Sequence, residues 1–190
     1  VPVEKWPDQT LRLFTPGKKV NSLYFLRKKR TCDEIDFCKV DLKTGEVKVL
    51  INEISKPYFN NDFFHLSLLN EGEDIIWWSE RTGHGHFYHY DGEGNLKNAI
   101  TSGNWTAGKM VKIDTVGRTI YFGAYGQEKG ACPYYARVNK ARIDGNGQVE
   151  VLTPEQATHE AYFSKSGRYF VDNYSLSLIH ISEPTRPISI

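Results

Sequence analysis

The sequence predicts an all-β protein made of repeated four-stranded units. Aromatic residues make up 13% of the 190 residues, and they cluster with β-branched residues in short runs typical of half-buried strands. A turn that contains glycine recurs before four of these runs. The long helical periodicity that an alternating α/β fold needs between its strands is missing, so that fold class is disfavoured.

The spacing of the repeated turn indicates the blades of a β-propeller. Its glycines are 55, 45 and 50 residues apart, at Gly17, Gly72, Gly117 and Gly167. These intervals lie near the roughly 40 to 50 residues expected of one four-stranded blade. A β-sandwich is the remaining all-β alternative, and the repeat argues against it.

A second turn follows in three of the units, where an aspartate precedes a glycine by three or four residues. The three turns are Asp41 with Gly45, Asp91 with Gly94, and Asp144 with Gly147. Glycine supplies the positive φ that tight hairpins need. We therefore expect each blade to contain two hairpins, the inner one joined at the first glycine and the outer one at the aspartate turn.

This pattern divides the chain into a partial propeller of about three and a half blades. Residues 1–15 are expected to end a preceding blade, with blades at about 16–55, 56–104 and 105–155 and a half blade at 156–175. Because a propeller needs a closed or nearly closed ring, we expect these residues to belong to a larger protein.

Residues 176–190 depart from the repeat. The string from Leu176 to Arg186 matches the translation of a transposase-based sequencing-library adapter, so we expect a non-native tail here. The alternative is a native strand in which Leu176, Leu178 and Ile179 pair with the unfinished blade.

Charge and cysteine content exclude several functional classes. The formal net charge of +1 suggests neither nucleic acid nor an anionic membrane as a partner. No signal peptide or membrane span is visible in the sequence. Cys32, Cys38 and Cys132 are too few for a disulfide scaffold and too scattered for zinc. Two reduced thiols at Cys32 and Cys38 are favoured over a disulfide across a hairpin, and no cofactor is expected.

Two groups of polar residues invite a chemical role, and neither sustains one. His84 and His86 share one side of a predicted strand and His89 the other, which gives no third metal ligand, so polar positions near a blade rim are expected. Ser164 and Ser166 flank a hairpin glycine and lack the Gly-x-Ser-x-Gly context of a hydrolase nucleophile. We therefore assign neither a metal site nor a catalytic residue.

A run of charges lies between the first two predicted strands of the first full blade. The acidic residues are Asp33, Glu34 and Asp36, with Asp62 in a later loop, and the basic run is Arg27 to Arg30. This arrangement is most simply a solvated hairpin end. The basic run has no interleaved aromatic residues, which disfavours nucleic-acid binding.

The connector from Lys56 to Asp62 is the best local candidate for a ligand surface. Loops that join blades often line the functional face of a propeller, and this one carries Tyr58 and Phe59. We predict substrate contact by these two residues. The alternative is that their rings only join adjacent blades.

Three segments carry a family resemblance. Ser79 to Tyr88 reads Ser-Glu-Arg-Thr-Gly-His-Gly-His-Phe-Tyr, Thr101 to Trp105 reads Thr-Ser-Gly-Asn-Trp, and a third motif runs from His159 to Phe170. In this order, and over roughly residues 23–175, they resemble dipeptidyl peptidase IV-like members of the prolyl oligopeptidase family.

The resemblance implies an eight-bladed propeller that caps an α/β-hydrolase domain. The catalytic Ser, Asp and His of such enzymes lie in the hydrolase domain and remove dipeptides with Pro or Ala second from peptide N-termini. It implies peptide substrates, a hydrolase domain in cis, and a secreted or periplasmic location, with a homodimer left open. A non-catalytic propeller that binds a protein or ligand is the alternative.

The substrate contacts that the resemblance implies are only partly present. Tyr58 and Phe59 fall near the aromatic member of a substrate-lining pair whose arginine has no counterpart here. The family's glutamate pair, which holds the substrate's amino group, is also unmatched.

Overall fold

The computed structural model describes residues 4–15 and 22–176 and, for the backbone alone, a strand at 184–189. In these residues the regular structure consists of β-strands and one short 3-10 turn, Asn70–Gly72. The strands form three sheets of four strands and one of three. The prediction of an all-β chain of four-stranded blades is confirmed.

Each sheet follows chain order, so neighbouring strands are joined by short connections. The first sheet contains β1 (Thr10–Phe14), β2 (Ser22–Lys28), β3 (Glu34–Asp41) and β4 (Val47–Ile54). The second contains β5 (Leu66–Leu69), β6 (Asp74–Ser79), β7 (His86–Asp91) and β8 (Leu96–Ala99). The third contains β9 (Thr106–Asp114), β10 (Thr119–Tyr125), β11 (Arg137–Arg142) and β12 (Glu150–Val151). The fourth contains β13 (Thr158–Phe163), β14 (Tyr169–Ser175) and β15 (Pro184–Ser189).

The repeated glycines lie where the sequence predicts them. Gly72, Gly117 and Gly167 fall between the first and second strands of the second, third and fourth sheets. Gly17 lies outside the described residues. The aspartate turns join the third and fourth strands of the first three sheets, which confirms the expected pair of hairpins in each blade.

The aspartates of the second turn hold the backbone directly. Asp41 Oδ1 accepts hydrogen bonds from the amides of Lys43 (2.7 Å) and Thr44 (3.0 Å). Gly45 then adopts a φ of 73°, which glycine reaches without steric cost. An aspartate that accepts amides two or three residues ahead favours a tight turn, which explains why this residue type recurs there.

The assignment of Thr10–Phe14 to a preceding blade is wrong. β1 pairs with β2 in an unbroken antiparallel register from Thr10 opposite Lys28 to Phe14 opposite Tyr24. These residues therefore form the first strand of the first described blade. The glycine of the repeated turn joins the first two strands of a blade, so a strand must precede it.

The fourth sheet contains the predicted hairpin and one further strand. β13 and β14 pair from Thr158 opposite Ser175 to Phe163 opposite Phe170. β15 pairs with the other edge of β14 and lies in the segment expected to be a non-native tail. The origin of that segment stays a prediction.

The described residues fall into two compact units. Val1–Glu80 with His89–Lys97 forms the first, and Arg81–Tyr88 with Asn98–Ile190 forms the second. In the first unit, Trp77 is fully buried and packs against Phe37 and Phe64, with ring centroids 6.4 and 5.1 Å away. Aromatic rings therefore join the first and second sheets.

In the second unit the same role falls to Phe122 and Phe163. Phe122 packs edge-on against Phe87 at 5.5 Å and stacks on Trp105 at 6.2 Å. Phe163 of the fourth sheet lies 4.6 Å from Tyr121 of the third. Such rings bury large areas, so truncating one typically costs about 3–5 kcal/mol.

Main-chain hydrogen bonds also tie consecutive blades together within the second unit. The amide of Ala107, at the start of β9, donates to the Gly85 carbonyl at 2.7 Å. The amide of His159, at the start of β13, donates to the Ala136 carbonyl at 2.8 Å. The first strand of each of these blades is thus anchored to the loop between the second and third strands of the preceding blade.

Candidate functional site

The connector between β4 and β5 presents one aromatic side chain to solvent and buries the next. Tyr58 is 63% exposed, whereas Phe59 is 4% exposed. Phe59 packs inside the first unit. Of the two residues predicted to contact substrate, only Tyr58 presents its ring at the surface, and its role stays a prediction.

Backbone bonds fix this connector against the loop between β2 and β3. The amide of Phe59 donates to the Cys32 carbonyl at 2.8 Å, and the amide of Ser55 donates to the Asp33 carbonyl at 2.9 Å. Lys28 Nζ adds a hydrogen bond to Asn61 Oδ1 at 2.8 Å. Tyr58 therefore projects from a segment held on both sides.

Asn60 gives the connector a local turn. Its Oδ1 accepts the amides of Asp62 (3.1 Å) and Phe63 (3.4 Å), and its carbonyl accepts the amide of Phe64 (3.1 Å). This is the turn chemistry that asparagine favours. An exposed aromatic ring on a fixed loop can stack on an apolar group of a ligand with little entropic cost.

The charged run between β2 and β3 is not a solvated hairpin end throughout. Asp36 is fully buried and Arg27 is 7% exposed. Arg27 Nε donates to Asp36 Oδ2 at 2.8 Å, Lys5 Nζ lies 3.0 Å from the same atom, and Asn52 Nδ2 donates to Asp36 Oδ1 at 2.6 Å. Arg27 of β2 lies directly opposite Asp36 of β3, so both side chains lie on the same face of the sheet.

The partners of Asp36 decide its ionisation. Burial favours the neutral acid, but hydrogen bonds from Asn52, Lys5 and Arg27 favour the carboxylate more strongly and hold the pKa of Asp36 below its usual value. The carboxylate is therefore kept charged in the interior as part of a structural cluster.

Glu53 is a buried carboxylate that sequence reasoning missed. It is 9% exposed and accepts a hydrogen bond from Trp77 Nε1 at 2.6 Å and another from Ser79 Oγ. Glu53 lies in the first sheet and its donors lie in the second, so the bond joins two blades. The residue pattern gave no signal for it, because the charged Glu53 is buried on β4 while the apolar Ile54 beside it is exposed.

Two of the three histidines, His86 and His89, are buried, which corrects the expectation of rim positions for these two. His86 is 1% exposed, and its ring nitrogens lie 3.1 Å from Thr101 Oγ1 and 3.0 Å from the Gly103 carbonyl. His89 is fully buried, with Nε2 2.6 Å from Asp74 Oδ1. Both rings are held by structural partners.

The remaining candidates also lie in structural settings. His84 Nδ1 lies 3.5 Å from Thr106 Oγ1, and Ser164 and Ser166 share a hydrogen bond in the β13–β14 turn. Cys32 and Cys38 form no disulfide, and burial raises the pKa of the Cys38 thiol to about 11. Among the described residues, no three His, Cys, Asp or Glu side chains cluster closely enough to hold a metal ion.

The four-stranded meanders and their connections define the chain as a set of β-propeller blades. The family model for the dipeptidyl peptidase IV N-terminal region matches residues 12–179. The chain therefore belongs to that family.

Curated relatives agree with this family. A dipeptidyl peptidase 4 of Arthroderma otae is 26% identical over 187 residues, which cover 92% of this chain and 23% of the relative. A dipeptidyl peptidase 4 of Trichophyton rubrum is 24% identical over 153 residues, covering 76% of this chain and 19% of the relative. The chain thus spans about a fifth to a quarter of the length of these relatives.

A solved structure supports the fold. The crystal structure of Porphyromonas gingivalis dipeptidyl peptidase 4 superimposes with a TM-score of 0.73 and 24% sequence identity. The match covers 92% of this chain and 24% of that chain. Among the described residues, no helix is long and apolar enough to cross a membrane.

Proposed function

We propose that this chain is the propeller part of a serine exopeptidase that removes N-terminal dipeptides of the Xaa-Pro or Xaa-Ala type from peptides. The observation that carries the proposal is the family match over residues 12–179, together with relatives named as dipeptidyl peptidases. The chemistry would belong to an α/β-hydrolase domain in cis, and residues 1–190 alone would be inactive.

In this proposal the propeller restricts access to the hydrolase domain. Within each compact unit, aromatic rings join consecutive blades. A closed ring of such blades would admit flexible peptides and exclude folded proteins by size. Tyr58 is the residue proposed to contact substrate, because its exposed ring stands on a loop fixed by Phe59 and Ser55.

The decisive experiment uses the protein encoded by the complete gene. It is offered Gly-Pro p-nitroanilide and Gly-Ala p-nitroanilide, with N-acetyl-Gly-Pro p-nitroanilide as the control that lacks a free amino group. Release from the first two substrates and none from the acetylated one is expected. If no free dipeptide amide is cleaved, the peptidase proposal fails and a non-catalytic binding propeller becomes the better account.

Restriction by size needs its own comparison. One Xaa-Pro N-terminus is placed on an unstructured 20-residue peptide and on a small folded domain of matched terminal sequence. We expect dipeptide release from the peptide to be much faster, and equal rates would exclude the gating role.

Fractionation of the source cells would test the proposed secreted or periplasmic location, and light scattering would test for a homodimer.

A further inference from the structure

A cleft lies between the third and fourth sheets, within the second compact unit. Its volume is about 460 Å³, within the roughly 300–1,000 Å³ typical of ligand pockets. Residues of β9, β10 and β13 contribute to its lining, among them Lys109, Gly123 and Ala161.

Gly123 opens the cleft without a structural reason to be glycine. A Cβ atom added there would meet no atom within 4 Å, and its φ is not in the left-handed region. Neither backbone conformation nor close packing therefore requires glycine at this strand position. A glycine in the interior of a strand often marks the close approach of a ligand or another backbone.

The strand opposite Gly123 is irregular at the same place. The register of β9 against β10 shifts on both sides of Phe122, and Lys109, Met110 and Val111 of this stretch line the cleft. Bulges of this kind redirect side chains and occur often beside binding sites. Lys109 is exposed and, within the described part of the chain, has no ion-pair partner, so it suits an acidic group.

The other wall offers main-chain hydrogen-bonding groups. Among the described strands, β13 pairs only with β14 and so ends its sheet. The amide of His159 points away from β14, toward Ala136. Because directions alternate along an antiparallel strand, the N–H and C=O of Ala161 also point away from β14. A free strand edge of this kind can pair with an added strand.

The acidic residue in the wall, Glu160, interacts with a neighbour on its own strand. Glu160 shares a hydrogen bond with the Tyr162 hydroxyl, which raises the pKa of that tyrosine. The apolar part of the wall comes from Val111 and Val138. The cleft therefore combines a cation, an apolar surface and a strand edge.

We propose that this cleft binds an extended peptide segment. The segment adds to the edge of β13 at Ala161, passes over Gly123 with its backbone close to β10, and places an acidic side chain at Lys109. The lining residues named here all lie in the described part of this chain, and the binding needs no free N-terminus, so it is separate from the proposed dipeptide release.

The test uses the protein encoded by the complete gene and a fluorescein-labelled, N-acetylated peptide, Ac-Thr-Val-Glu-Val-Thr-Val. Acetylation keeps the probe from sites that require a free amino group. A second peptide carries the same side chains but is N-methylated at alternate amides, which prevents strand pairing. By fluorescence anisotropy the first peptide is expected to bind, and the methylated one to bind at least about tenfold more weakly.

Variants locate the binding. Gly123→Leu fills the cleft and is expected to abolish binding, and Lys109→Gln is expected to weaken it several-fold with a smaller salt dependence. Lys165→Gln, an exposed lysine outside the cleft, is the matched control and should bind as the native protein does. If Gly123→Leu lowers the melting temperature, Gly123→Ala replaces it, since one methyl group fits the empty space.

Three results would overturn the proposal. The first is no binding of the acetylated peptide, and the second is equal binding of its methylated form. The third is undiminished peptide binding by both single variants, a folded Gly123 variant and Lys109→Gln. If the protein encoded by the complete gene binds the acetylated peptide but does not cleave the dipeptide p-nitroanilides, only the proposed function fails.

Discussion

The indole N–H of Trp77 donates a 2.6 Å hydrogen bond to the carboxylate of Glu53, 24 positions earlier in the chain. The two side chains belong to different sheets and both are buried. Removing the Glu53 carboxylate takes a hydrogen-bond acceptor away from the buried Trp77 N–H and Ser79 hydroxyl. This bond is therefore a place where the contact between two blades can be tested.

Replacing Glu53 with alanine is expected to destabilise the protein by about 1–3 kcal/mol, the cost of leaving a buried donor unsatisfied. The urea midpoint measures it. Glu46→Ala, an exposed residue just before the same strand, is the control and should change stability by less than about 0.5 kcal/mol. Equal losses in the two variants would show that the bond between sheets contributes little.

The buried pair of Arg27 and Asp36 predicts an acid-dependent loss of stability. The folded-state pKa of Asp36 lies below its usual value of 3.8. Its stabilising effect is therefore complete above pH 3.8 and is lost as the pH falls through the folded pKa. Asp36→Asn is expected to cost about 3–5 kcal/mol at pH 7, because the substitution breaks a buried ion pair from one side.

The measurement is the urea midpoint of both proteins from pH 7 down to pH 3. The difference in urea midpoint between the native protein and Asp36→Asn should become smaller as the pH falls toward 3. Asp62→Asn, in an exposed loop position, controls for the loss of any one carboxylate. A gap that stays constant with pH would contradict the assigned role of Asp36.

Two glycines with positive φ make a matched test of the second turn. Gly94 (φ 88°) would place a Cβ against the backbone carbonyl of Leu50, whereas Gly83 (φ 90°) has open space around it. Gly83→Ala should cost only the conformational strain, about 1 kcal/mol. Gly94→Ala should cost clearly more, because backbone must move. Similar melting temperatures for the two variants would show that the close approach of Gly94 to Leu50 of β4 does not restrict this position.

Neighbouring residues of the connector should separate binding from stability. Phe59→Ala is expected to destabilise the protein by about 3–5 kcal/mol, as for other buried aromatic residues. Tyr58→Ala should leave the melting temperature unchanged and raise the KM of the dipeptide p-nitroanilide. A lowered melting temperature or an unchanged KM in Tyr58→Ala would remove Tyr58 from the candidate site.

Local patterns were enough to predict the blades but not their charged interior. Turn glycines and aspartates act over four or five residues, so Asp41 and Gly45 could be assigned from the sequence directly. Burial of Asp36 depends on Lys5 and Asn52, which lie 31 and 16 positions away. A run of charges next to a turn looks solvated when such distant partners are unknown.

Packing against residues distant in the sequence also explains why the burial of Phe59, His86 and His89 was not predicted. Tyr58 and Phe59 are equivalent by composition, and only packing inside the first unit buries one of them. His86 and His89 alternate on their strand as predicted, but both faces of β7 are covered. Alternation reveals which residues share a face, whereas exposure depends on what the rest of the fold places against it.

The amides of Ala107 and His159 bind carbonyls of the preceding blade through main-chain atoms alone. Nearly any residue can supply an amide, so mutation at these positions rarely deletes the link, with proline as the exception. Evolution can therefore replace the side chains of one blade without losing its alignment to the next. This freedom is consistent with a shared fold at 24% identity to a bacterial enzyme, and it leaves clefts between blades available for new ligands.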